Sequence, residues 1–200
     1  MRGRSAMLAK NFKSTFLSCE KDQEAIWRKL FIESNPYSNK LKRLLVINTK
    51  DCLDCSQEQY NIKLEDYDLA TLKEKGYIKV VPKLDLGDFE EVKSYILLEF
   101  DTFAPTSNAE YRSSIITFTI MCHLDQWELD DYKLRPLQIA GYIDGIMDGS
   151  RLSGIGQLQF MGAEQLILNE HLGGIMIRYI AYNGNDNVEK VNPKLTSENI

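Results

Sequence analysis

The side chains best suited to chemistry in this 200-residue chain are four cysteines and two histidines. Cys52-Leu53-Asp54-Cys55 forms one CxxC in a polar stretch; Cys19, Cys122, His123 and His171 lie apart from it. A zinc site built on Cys52 and Cys55 needs two more ligands, and none of the remaining candidates occurs at paired spacing. Cys122 and His123 are neighbours in a segment that reads as a strand, so their side chains point to opposite faces. A dithiol redox role needs the CxxC at the start of a helix that follows a buried strand, where the helix dipole lowers a thiol pKa. Leu44 to Ile47 suits the strand, but Ser56-Gln57-Glu58-Gln59 makes a poor amphipathic helix. Zinc and dithiol chemistry therefore stay open as minority readings beside two ordinary thiols.

Other motifs are weaker. No GxSxG or HExxH element places a nucleophile beside a base or a metal. Gly154-Ile155-Gly156 lacks the third glycine and the preceding strand of a dinucleotide loop. Asp125, Glu128, Asp130 and Asp131 do not have the spacing of a calcium loop and read as a solvated acidic turn. The expectation is a protein that is not an enzyme, with no catalytic residue, no cofactor and no bound metal.

Composition bounds the partners. Lys and Arg number 24 against 29 Asp and Glu, a net charge of −5. Gripping nucleic-acid phosphates takes clustered cations, so an acidic chain argues against that as the main task. The one basic cluster is residues 1–13, with Arg2, Arg4, Lys10 and Lys13 and no acid. It reads as a terminal arm, with contact to a neighbouring subunit or to nucleic acid as the functional options. No apolar run approaches the ~18 residues of a membrane span, and no apolar signal core follows the first residues, so the chain reads as soluble and intracellular, with no membrane partner.

The elements that must position these residues follow from periodicity. Residues 21–33 fit a helix that Asn35-Pro36 ends, and Leu41 to Ile47 (LKRLLVI) suits a strand. A polar insertion over 48–75 reads as irregular, with a helix near 68–75 stopped by Gly76. Tyr77 to Leu84 suits an edge strand interrupted by Pro82, and Tyr95 to Phe103 a strand broken by the turn formers 104–108. From Tyr111 to Leu124 successive residues alternate between two faces with period two, predicting a long strand of about 45 Å. Ile116, Phe118, Ile120 and Cys122 share one face; Ile115, Thr117, Thr119 and Met121 share the other. Pro136 opens a helix with a stripe of Leu137, Ala140, Ile143 and Met147, on which Gly141, Gly145 and Gly149 recur every four residues. Gln157 to Met161 suits a short strand, Leu166 to Asn169 a connector, and Ile175 to Tyr182 the last strand after Gly173-Gly174.

This order lacks βαβ alternation. It predicts an α+β fold: a mostly antiparallel sheet with helices packed on one face, plus flexible arms. The organisation expected is a basic arm over 1–20, one domain over 21–182 carrying the insertion near 48–75, and a polar, Asn-rich tail over 183–200. The half-apolar face of Ile115, Thr117, Thr119 and Met121 calls for cover by a second layer or another subunit. With Gly141 and Gly145, whose spacing admits close helix approach, these residues form the candidate subunit interface.

The segment from Tyr95 to Tyr182 resembles the tail-terminator and tail-completion proteins of tailed bacteriophages. The resemblance is carried by YILLEFDTFAPT, RSSIITFTIMCHLDQWEL, LRPLQIAGYIDGIMDG, GIGQLQF and GGIMIRYIAY, in that order. It covers under half of the chain and is a pattern of elements. It implies a structural virion protein that forms a homo-oligomeric ring in the neck or tail. Such a ring ends the tail or joins it to the head and portal, with tail-tube, neck or portal proteins as partners. DNA would pass through the lumen without specific binding, and the protein would reside in the virion after assembly in the host cytoplasm. The insertion over 48–75 and the Asn-rich tail depart from that family pattern, leaving terminator and portal-side adaptor both open.

Overall fold

The alternation along residues 111–123 produces the central strand of the fold. In a computed structural model that describes residues 21–32, 35–54, 61–80, 91–107, 111–152 and 156–184, β3 runs over Tyr111–His123. Around it lie β1 (Ile78–Lys79), β2 (Ser94–Pro105), β4 (Arg151–Leu152), β5 (Gly156–Ile167) and β6 (Leu172–Gly184). They form one six-stranded sheet in the order β1-β2-β3-β6-β5-β4. β1 is parallel to β2 and every other pairing is antiparallel, so the expected α+β class with a mostly antiparallel sheet holds. Four helices complete the described chain: α1, helical through residues 21–31, α2 (Ser38–Val46), α3 (Leu69–Glu74) and α4 (Arg135–Met147).

Most of the core is one cluster. Ile116, Phe118, Ile120 and Cys122 of β3 are each fully buried in it, as the alternation predicts, beside Ile96 and Leu98 of β2 and Ile177, Tyr179 and Ala181 of β6. Ile26, Leu30, Leu41, Leu44, Leu45, Ile139 and Ile143 enter the same cluster from α1, α2 and α4.

Several elements differ from the sequence reading. LKRLLVI is the body of α2 and not a strand. Leu41, Leu44 and Leu45 stand at i, i+3 and i+4 and are all buried, so a helical period underlies a run that also reads as a short apolar strand. The junction before it is polar and specific: Asn35 Oδ1 accepts from the N–H groups of Tyr37 and Ser38 at 2.9 and 2.8 Å, and the Ser38 hydroxyl donates to Leu30 O at 2.7 Å.

The helix expected near 68–75 is α3. Asp68 accepts from Thr71 N, and Gly76 at φ +71° lets Tyr77 N reach Leu72 O at 2.8 Å and Gly76 N reach Lys73 O at 3.0 Å. β2 continues through residues 104–105, where a turn was expected, after an irregularity between Asp101 and Phe103. β5 runs to Ile167, so Leu166 and Ile167 belong to a strand and not a connector; a bulge between Phe160 and Gly162 absorbs the glycine. Gly173 and Gly174 lie inside β6, paired with Cys122 and Met121. A methyl on Gly174 would sit 1.7 Å from Ile120 O, which explains a glycine where a side chain usually packs. Gly149 lies beyond the end of α4, and Leu137 of the expected buried stripe is 52% exposed, because the buried face of α4 centres on Ile139, Ile143 and Met147. The basic arm over 1–20, Pro82, Gly154 and the tail from residue 185 lie outside the described residues.

Candidate functional site

The thiols come first because their chemistry is the most specific on offer. Cys52 is fully buried in the turn after α2, where Arg43 Nη1 donates to Cys52 O at 3.0 Å. Cys19 and Cys55 lie outside the described residues, so the CxxC partner is not placed. Cys122 points into the core, and burial pushes its thiol up to about 12; a hydrogen bond with Ser94 and the charge of Arg135 only partly oppose that rise. A thiol in that state supplies almost no thiolate at neutral pH. His123 lies on the opposite side of β3, as alternation requires. It stacks on His171 with ring centroids 5.8 Å apart, and its Nδ1 accepts from Asp125 N at 3.2 Å. Among the described residues no group of three or more His, Cys, Asp or Glu is arranged to hold a metal ion. In the acidic turn, Glu128 pairs with Lys50 at 2.6 Å and Asp131 with Lys133 at 3.2 Å, both on the surface.

The most elaborate polar construction is one that periodicity does not reveal. Arg135, the first residue of α4, is fully buried. Its Nε donates to Gln126 O at 2.9 Å, Nη1 to Leu44 O at 2.6 Å and Ile47 O at 2.9 Å, and Nη2 to Thr49 O at 2.8 Å. The guanidinium thus fills the orphan carbonyls at the C-terminal end of α2, where the helix dipole favours a cation. It ties α2, the loop after it, the turn before α4 and α4 itself into one unit. The only sequence signal was a cation placed just before Pro136 at a helix start.

The sequence-derived interface residues fall in three places. Thr117, Thr119 and Met121 share the face of β3 opposite the core, and all three are buried; Ile115, on that face, is half-buried. Cross-strand neighbours supply the polar part of this face. The Thr117 hydroxyl donates to the Asp101 carboxylate, and Arg178, opposite Thr117 in β6, donates to Glu164 at 2.8 Å. Burial, and then the nearby Asp101 charge, hold the Glu99 carboxyl above its ordinary value. Tyr95, Met121 and Leu172 form a second small apolar cluster with Leu166 against it. Gly141 is exposed on α4, with nothing near where a side chain would stand. Gly145 is exposed beside a neighbour in the same chain: the Tyr37 ring lies 3.1 Å from where its side chain would begin, and stacks on Tyr142 at 5.5 Å.

A further surface was not foreseen. β4 pairs only with Gly156 and Gln157 of β5. Further along, Leu158 bonds with Gly149 and Ser150, and Phe160 N donates to Asp148 Oδ1 at 3.1 Å. From residue 161 to 167 β5 pairs with β6 on one side, and among the described residues no strand lies on its other side. Exposed apolar side chains flank this edge: Met161, Ile167 and Leu168, with Leu137 of α4 nearby. A groove of about 100 Å³ beside it is lined by Trp127, Leu134, Pro136, Leu137, Gln165 and Ile175. An unpaired edge bordered by apolar surface is a template for another strand. The missed signal was the length of β5, hidden by Gly162.

Comparison with known proteins gives one family. The model described as YomW matches residues 38–181, which spans the sheet, α2, α3 and α4. No curated protein matches the chain.

Proposed function

The chain belongs to the YomW family and is a phage-associated protein, and from that premise we propose that it is a structural virion protein acting by assembly. In this reading copies join head to tail into a closed ring in the phage neck or tail, which ends the tail or joins it to the head and portal. DNA passes through the lumen. A net charge of −5 favours that passage, since an acidic wall repels phosphates.

The observation that carries the reading is the edge of β5. Soluble monomers blunt long sheet edges with charge, proline, bulges or covering segments. Over 161–167 this strand has the bulge at its start and one charged residue, Glu164, already engaged by Arg178; past the bulge, from Ala163 to Ile167, its other residues are Ala, Gln, Leu and Ile. Such an edge is suited to repeated contact between copies. No observation on the described residues favours a dithiol or metal enzyme: Cys122 is a core side chain and Cys52 is fully buried.

Electron microscopy of the purified chain, alone and mixed with tail-tube or portal proteins, tests the proposal. Discrete rings of one symmetry are expected. A monomer that stays monomeric at high concentration and forms no ring with either partner contradicts it.

A further inference from the structure

Resting on the assembly reading above, the geometry points to the occupant of the β5 edge: we propose that residues 161–167 take the basic N-terminal arm, residues 2–13, of the next copy as an added strand. In strand addition the main chain of the guest supplies hydrogen bonds, and alternate side chains enter pockets beside the edge. The edge meets both requirements. It offers backbone without a strand partner among the described residues, and the groove of Trp127, Leu134, Leu137 and Ile175 lies beside it to take apolar side chains.

The charge around the edge selects the guest. Glu164 lies on the strand and Glu170 in the turn after it, with exposed side chains, while Asp125 and Glu128 flank the groove residue Trp127. Lys50 engages Glu128 and Arg178 engages Glu164, while Asp125 and Glu170 lie 3.5 Å from the imidazoles of His123 and His171, so four carboxylates face two lysine or arginine cations and the rim is acidic. The arm is the complement: Ala6, Met7, Leu8, Ala9 and Phe12 are apolar, and Arg2, Arg4, Lys10 and Lys13 surround them without an acid.

The assembly reading selects the neighbouring copy over the same one. Gln23, Glu24 and Trp27 of α1 line a cleft with Leu69 and with Ile78 of β1, so the first described residues lie on the β1 side of the sheet. β5 lies four strand spacings away from β1, about 19 Å across the sheet. The described chain therefore begins away from the acceptor edge, and an arm passed to the next copy joins two different surfaces. A contact of that kind is heterologous, and repeated around an axis it closes a ring.

The test is photo-cross-linking in the full chain, with benzoyl-phenylalanine in place of Ile167, which is 63% exposed. The modified chain is mixed with isotope-labelled unmodified chain, irradiated, and the linked peptides are mapped. Links from position 167 to residues 2–13 of the labelled chain are expected. Reversing the arm's charge in the labelled chain (Arg2→Glu, Arg4→Glu, Lys10→Glu, Lys13→Glu) should lower their yield about tenfold or more. Links confined to the arm of the same chain, or to another segment of the labelled chain, overturn the proposal. Oligomers that persist without arm links overturn it while the assembly reading stands. A chain that neither links nor oligomerises overturns both.

Discussion

β3 and β5 are strands of nearly equal length with opposite fates. β3 is paired along both sides, to β6 from Tyr111 to His123 and to β2 from Arg112 to Cys122, and one of its faces is fully buried. β5 is paired on one side for most of its length, and of its side chains only Leu158 is buried. The centre of the sheet is therefore paired on both sides, whereas among the described residues the edge is not. Stability should reside in β3 and what braces it, and association at β5. Substitutions at the two sites should separate those properties.

The largest effect is expected in the centre. Phe118 is fully buried, edge-to-face with Tyr179 at 5.9 Å, and Phe118→Ala should cost about 3–5 kcal/mol in denaturant unfolding. Arg135→Met removes four hydrogen bonds and leaves the carbonyls of Leu44, Ile47, Thr49 and Gln126 buried without their donor. Three of those bonds are buried, and at about 1–3 kcal/mol for each a loss of about 3 kcal/mol or more is expected from the same measurement. Arg135→Lys should recover only part of it, because an ammonium cannot span the fork. A loss below about 0.5 kcal/mol, the range of ordinary surface substitutions, would show that α2 and α4 hold together without the brace.

Gly174→Ala comes next. A methyl at that point must push β6 away from the Ile120 carbonyl, which should cost about 2 kcal/mol and speed amide exchange in β3 and β6 together. The smallest effect concerns the face opposite the core. Glu99 sits above its ordinary carboxyl value in the folded chain, so its ionisation opposes folding, and stability falls as pH rises from the unfolded value through the folded one. Glu99→Gln should raise the unfolding temperature slightly at neutral pH and give no gain once the pH is below the unfolded carboxyl range. An equal gain at both pH values would assign the effect to packing instead.

How much of this was legible in the sequence depends on the element. β3 and α4 were, because a period-two pattern over 111–124 and a proline opening an apolar helical stripe are each sustained signals. α2 was not: LKRLLVI is short enough that branched residues outweigh the i, i+3, i+4 spacing of its leucines. β5 and β6 were cut short for a common reason. Gly162 sits at a bulge and Gly173-Gly174 lie where Trp127 and the β3 backbone approach, so glycines that read as breaks are points of close contact. Of the interface residues, the shared face of Thr117, Thr119 and Met121 was legible from period two. That Tyr37 takes up Gly145 was not, since it depends on a contact between α4 and the turn before α2. Arg135 left no periodic trace, because its partners are backbone carbonyls that carry no residue identity.

The most direct test of assembly through an unfinished edge is native mass spectrometry of the full chain beside Ile167→Lys, at matched concentration. Position 167 is exposed, so its unfolding free energy should move by no more than about 0.5 kcal/mol. The unsubstituted chain should give one discrete oligomer, and Ile167→Lys chiefly monomer of unchanged stability. The same oligomer from both, or monomer from both, would contradict the account.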